Sequence, residues 1–292
     1  MLLQALTSTP SFPHFHTHYR RQNSLRLRVA LIVSRLNGVM RTSLSERRNG
    51  GMAISASNVE RSNISVEKKR KVVEHVCLLK AKQNLSEEDE NDMLDYLYTS
   101  QYQMRGIVAI SLGRISNNTV ETYTHAVVMR FQRKEDVEKF YENPFYLRVL
   151  KEHVMPYCHG LINVDYESEV EDDILSIFRK GEEFNYGVEF VHLMAFNDSA
   201  FGAPIEDALV SLEKLTEEFP SLIVQSTHGS NFNSSSQEYT HGVVTRFRSL
   251  EAYEMFVGSK EYKDTWKTKF ELIVKKTLPV HFSVDPVGKE IM

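Results

Sequence analysis

The chain has 292 residues, 41% of them hydrophobic and 25% charged, with a formal net charge of −4. That length allows about two domains of ordinary size. Two cysteines, Cys77 and Cys158, are too few for a disulfide scaffold, and no apolar run reaches the roughly 18 residues a membrane-spanning helix needs. The charge is unevenly spread: residues 1–60 hold eight arginines, no lysine and only Glu46 and Glu60 as acids, a net of +6 that leaves −10 for the rest. An acidic body argues against nucleic acid as the main partner.

Residues 1–60 carry no persistent helical or strand period and are rich in Ser, Thr, Arg and Asn. This composition predicts an organelle transit peptide directed to the chloroplast. The alternatives are a disordered tail, or an upstream extension ahead of a start at Met52, with the protein in the cytoplasm or peroxisome. The C-terminal residues, Lys289 to Met292, are not a peroxisomal SKL-type signal.

Residues 72–80 read VVEHVCLLK and predict a strand with two apolar faces. Val72, Val76 and Leu78 lie on one face, and Val73, His75, Cys77 and Leu79 on the other, so the strand is central and covered on both sides. Ser86 followed by Asp89 starts a helix with an apolar stripe of Met93, Leu94 and Leu97. Residues 107–114 predict a second strand and 123–131 a third. Residues 134–142 predict a helix, which Asn143 and Pro144 separate from a further helical piece reaching about 155. A fourth strand covers 159–166.

The third strand reads YTHAVVMRF, and residues 239–247 read YTHGVVTRF, seven of nine letters identical at an offset of 116. The other elements recur in the same order: a strand at 188–196, a helix opened by Pro204, a strand at 222–229, the repeated strand, helices at 250–257 and 261–275, and a strand at 280–285. Asp285 is taken as the counterpart of Asp165, which implies about four residues gained in the last helical region. The domains are therefore predicted as a first copy at 72–166, a linker at 167–187 and a second copy at 188–286.

Each copy reads β-α-β-β-α-β, a ferredoxin-like order in the α+β class. Such a sheet has helices on one face and needs cover on the other, where Val127 and Val243 are expected. Pairing of the two sheets, within one chain or between two, would supply that cover and close a barrel.

The residues Glu74-His75-Val76, Leu79-Lys80, Gly113, Tyr123-Thr124-His125, Arg130-Phe131, Asn143-Pro144 and Val164-Asp165-Tyr166 resemble the plant stress-responsive A/B barrel domain family. The resemblance is good over 72–166 and less complete over 188–286, and tandem-domain members look closest. It implies a dimeric α+β barrel, a stress or defence role and, in some members, antifungal activity. Polyketide cyclases of the same fold group use a Tyr and a His after the third strand. Alignment on Asn143-Pro144 puts Phe140 and Tyr146 there, and Phe256 and Tyr262 in the second copy. Phe cannot transfer a proton, and Tyr is a poor base at neutral pH, so the reading favours a non-enzymatic protein that binds an apolar small molecule or a protein partner. A cyclase-like or monooxygenase-like enzyme using the barrel cavity is the alternative.

The candidate ligand-binding residues are His75, His125, His192 and His241; a strand histidine satisfied by its neighbours is the plainer reading of His125 and His241. The family resemblance also implies a magnesium site at the end of the first helix, mainly through main-chain oxygens, at Tyr98, Gln101, Tyr102 and Met104. No catalytic residue is assigned. His153, Cys158 and His159 lack a fourth ligand at zinc spacing.

Overall fold

A computed structural model describes residues 69–116, 123–171 and 187–284. The leader expected at 1–60, most of the linker expected at 167–187 and Asp285 lie outside the described residues. The first copy runs β1 (Lys69–Ala81), α1 (Glu87–Gln103), β2 (Ile107–Arg114), β3 (His125–Phe131), α2 (Lys134–Glu142), α3 (Pro144–Val149) and β4 (Cys158–Glu171). The second runs β5 (Val188–Phe196), α4 (Ala203–Glu217), β6 (Ile223–Ser230), β7 (His241–Phe247), α5 (Leu250–Gly258), α6 (Lys260–Thr265) and β8 (Val274–Ser283).

Local chemistry sets several boundaries as the sequence predicts. Ser86 caps α1, its side chain accepting from the Asp89 backbone N–H at 3.1 Å. Asn143 ends α2 and caps α3, with Pro144 in the first turn, where a missing N–H costs nothing. A single π-helical turn then leads towards β4 in the first copy (Leu150–Val154) and towards β8 in the second (Trp266–Phe270).

Each copy forms one antiparallel four-stranded sheet, ordered β2-β3-β1-β4 and β6-β7-β5-β8. β1 is central and buried on both faces. Val73, Cys77 and Leu79 pack under the helices, whereas Val76 and Leu78 join Val191, Leu193, Val244 and Phe282 of the second sheet in one core. The two sheets of one chain therefore cover each other. Two seams related by the 116-residue offset close the barrel: the Phe232 N–H donates to the Asp165 carbonyl at 2.9 Å, and the Ser116 N–H donates to the His281 carbonyl at 2.9 Å.

The barrel interior is filled. Beside its apolar core lie two matched ion pairs, Arg130 Nε to Glu74 Oε1 at 2.9 Å and Arg246 Nε to Glu189 Oε1 at 2.8 Å. A cavity of about 40 Å³ adjoins them.

Four expectations need correction. Val127 and Val243 face the helices; their neighbours Val128 and Val244 face the opposite sheet. A shift of one residue reverses every face of a strand. The last helical region stops at Phe270, and β8 begins at Val274 rather than 280. β4 continues to Glu171, so the first residues of the expected linker are strand. Finally, the last helical region has no insertion. Phe190 pairs with His281 as His75 pairs with Asp165, so His281 is the counterpart of Asp165. The shared Val-Asp dipeptide at 164–165 and 284–285 misleads the alignment.

Candidate functional site

On the helix-facing side of the first sheet, β1, β4 and α2 bring three polar side chains together. His75 Nδ1 lies 2.6 Å from Asp165 Oδ1. The Tyr141 hydroxyl donates to Asp165 Oδ2 at 2.8 Å and lies 3.1 Å from His75 Nδ1. His75 and Asp165 are 0% and 1% exposed. The second copy completes the group: Asn233, from the β6–β7 loop, donates its amide to Asp165 Oδ2 at 2.7 Å and to the Tyr141 oxygen at 2.9 Å. A buried carboxylate requires such donors, and Asp165 has three side-chain partners. Burial, with Asp165 second, pushes the Tyr141 hydroxyl far above its ordinary pKa.

The other imidazole nitrogen, His75 Nε2, is buried without a partner. Rings of Phe131, Phe140 and Tyr141 surround His75 edge-on, with centroids at 6.4, 5.3 and 5.6 Å. Outside the cluster, a cleft of about 390 Å³ is lined by Val137, Tyr141, Asp165, Phe232 and Asn233.

Phe140 and Tyr146, at the positions of the cyclase pair, lie with tilted rings 3.8 Å apart between centroids. Sequence reasoning about those two positions missed Tyr141 and Asp165. An acid in the middle of the apolar run 161–166 is the signal that could have marked Asp165. Nothing local could have marked Asn233, which arrives from the other copy.

In the second copy the matched positions hold Phe190, Val257 and His281, so the polar cluster is missing there. His192 instead occupies the place of Cys77. It bonds Thr277 Oγ1 and stacks on Trp266 with centroids 4.7 Å apart. Burial lowers its pKa to about 3, so the ring is neutral at physiological pH.

His125 and His241 lie at matched strand ends. His125 Nε2 meets Glu90 Oε1 at 2.7 Å, and Arg114 pairs with the same carboxylate. Burial raises the Glu90 pKa, but its bonds to His125 and Arg114 outweigh that and hold it below the ordinary value. Burial lowers the pKa of His125, against the pull of Glu90. His241 has uncharged partners, Ser230 Oγ and Thr240 Oγ1, each at 3.0 Å. Burial first, then His228, lowers its pKa to about 4. Each histidine borders a cleft. The one at His125 is about 760 Å³ and lined by Lys80, Lys82, Asp89, Arg114 and Tyr157. The one at His241 is about 660 Å³, with Phe201, Ile205, Leu209, Phe232 and Tyr239 as apolar walls. The structure thus gives the four histidines four separate settings.

At the end of α1, where the magnesium set is expected, the Tyr98 carbonyl accepts the Gln101 side-chain amide at 3.2 Å. No group of three or more His, Cys, Asp or Glu able to hold a metal occurs among the described residues. Cys77 and Cys158 are buried and unbridged.

The molecule is thus of the α+β barrel class: two ferredoxin-like sheets closed on each other, with candidate sites outside the barrel under the helices. Residues 73–168 match the family model of the stress-responsive A/B barrel domain. The first copy is such a domain, and the second repeats its fold in the same chain. A stress-response A/B barrel domain-containing protein of Arabidopsis thaliana is 26% identical over 216 residues, covering 73% of this chain and 79% of that protein. Among solved structures, a candidate monooxygenase from Fusobacterium nucleatum is 9% identical, covers 74% of this chain and 93% of its own, and superposes with a TM-score of 0.54. An anthrone oxidase-like protein, also 9% identical, covers 74% and 92% with a TM-score of 0.52. These two structures are similar in fold alone. No helix among the described residues is long and apolar enough to cross a membrane.

Proposed function

We propose that this protein is a non-enzymatic stress- or defence-response protein that binds an apolar small molecule in the cleft beside His241. The supporting observation is the lining of that cleft: Phe201, Ile205, Leu209, Phe232 and Tyr239 form apolar walls around about 660 Å³, with Glu206, Asn231, Asn233, Gln237, Thr240 and His241 among the polar groups. Such a volume and balance suit a small, mainly apolar ligand. The neutral imidazole of His241 carries no charge to repel one. Native mass spectrometry of the full chain isolated from plant extract should show a retained small molecule, and Phe201→Arg, at an exposed wall of the cleft, should release it with the fold intact by circular dichroism. An empty wild-type protein, or equal retention by the variant, would overturn the reading. Antifungal action, and delivery to plastids by residues 1–60, are further parts of this proposal; a fluorescent fusion of 1–60 that stays diffuse would remove the latter.

One observation favours a second reading, a cyclase-like or monooxygenase-like enzyme. The His75–Asp165 pair with Tyr141 is an acid–base group of the kind enzymes use. It lies under α2 and not inside the barrel. Cyclisation of a linear polyketide thioester that disappears in His75→Phe would establish that reading; the non-enzymatic reading expects no product above background.

A further inference from the structure

We propose that the β6–β7 loop of the second copy, residues 231–238, is the closing element of the His75 site in the first copy, with Asn233 as its latch. Access to one copy's buried imidazole is then controlled by the other copy. This goes beyond ligand binding in the His241 cleft, which Phe232 and Asn233 of the same loop also line.

His75 Nε2 is an interior polar atom without a partner, an arrangement that costs stability. The second copy avoids it with Phe190 at the matched position, so the fold itself has no need of an imidazole there. Three sides of the ring are closed by Phe131, Phe140 and Tyr141. Its Nδ1 meets Asp165, which lines the outer cleft together with Tyr141 and Asn233. The Asn233 amide binds both groups that hold His75 Nδ1, namely Asp165 and Tyr141. Asn233 is itself only 9% exposed.

The loop is shaped to present that side chain. Asn231 Oδ1 accepts from the Asp165 N–H at 3.1 Å and from the Asn233 N–H at 2.9 Å, which fixes the base of the loop on β4. Phe232 carries Lys134 of α2 at 4.2 Å from its ring centroid, so the loop also grips the helix that covers the site. Beyond the latch, Ser234 and Ser235 border the cleft and bring no bulky apolar anchor. Within the loop, the Ser235 N–H and hydroxyl donate to Asn233 Oδ1 at 3.0 and 2.5 Å; across to the first copy the Asn233 side chain is held by its two amide hydrogen bonds.

The test is carbethoxylation of histidines in the full chain by diethyl pyrocarbonate, read residue by residue by mass spectrometry. In the wild type His75 should be protected, like the buried controls His125 and His192. Asn233→Ala should raise the rate at His75 by roughly five- to a hundred-fold, the range expected from losing two net hydrogen bonds, with His125 and His192 unchanged. Asn233→Asp, which sets a carboxylate against Asp165, should raise it further. Protection of His75 equal to wild type in both variants would overturn the proposal. So would a parallel rise at all three histidines, which would report general loosening, or full reactivity of His75 in the wild type.

Discussion

At matched places under their helices the first copy holds His75, Tyr141 and Asp165, and the second holds Phe190, Val257 and His281. The frames around these places are nearly the same: the strand order, the buried Glu–Arg pair inside the barrel, the capped break between helices and the seam hydrogen bond all recur. The difference teaches that folding constrains the inner face of each sheet far more tightly than the outer face. Inside, each copy must fit the other. Outside, each meets only its own helices, and there one copy has become polar while the other has become aromatic, with His192 on Trp266.

The largest predicted effect tests the shared frame. Arg130→Leu or Arg246→Leu leaves Glu74 or Glu189 buried without its guanidinium. Either should cost about 3–5 kcal/mol in denaturant unfolding, as breaking a buried pair does. Similar losses in the two copies would sharpen the equivalence, whereas a loss in only one would break it. The next effect separates the copies by pH. In the fold burial holds His192 at about 3 and His241 at about 4, against an ordinary 6.5. Below 6.5 the unfolded chain binds more protons, so stability is present above that pH and is lost as pH falls towards 4. The slope approaches about 1.4 kcal/mol per pH unit for each histidine. His192→Cys, which installs the first copy's residue, should flatten the curve by one histidine. The sole tryptophan, Trp266, lies against His192 and provides the fluorescence.

Smaller effects probe the seams. A Cβ at Gly113 would stand 2.4 Å from the Ser283 carbonyl oxygen, and one at Gly229 would stand 2.5 Å from that of Glu167. These glycines are matched by the offset and allow the sheets to approach. Gly113→Ala and Gly229→Ala should each cost about 1–3 kcal/mol by overpacking, while Gly160→Ala, with nothing within 4 Å, should cost much less. The smallest effect concerns the caps. Ser86→Ala should cost about 1 kcal/mol in thermal unfolding. The second copy has nothing equivalent to lose, because Gly202, at φ +91°, makes no side-chain cap.

The sequence made the frame legible because its signals are local. The 116-residue repeat, the Ser86 cap, the break at Asn143-Pro144 and the strand at 188–196 all appear where expected. The errors lie where a neighbour in space decides. Val127 and Val128 are both apolar, so the pattern alone could not say which one meets the other sheet. The lysines at 263, 267, 269, 275 and 276 look helical throughout, yet pairing of β8 with β5 from Val274 onwards overrides them. His75, His125, His192 and His241 were visible as candidates, but their partners were not. Glu90, Asp165 and Asn233 lie 35, 90 and 158 residues away from the histidines whose settings they complete.

Closure of the barrel within one chain has a consequence for dilution. Where two separate subunits must meet, the fraction paired falls as concentration falls. Here residues 172–187 tether one sheet to the other, and a short tether holds its ends together at an effective concentration in the millimolar range. Scarcity of the protein therefore does not open the barrel, and the mismatched outer faces stay joined in every molecule at a fixed ratio of one to one.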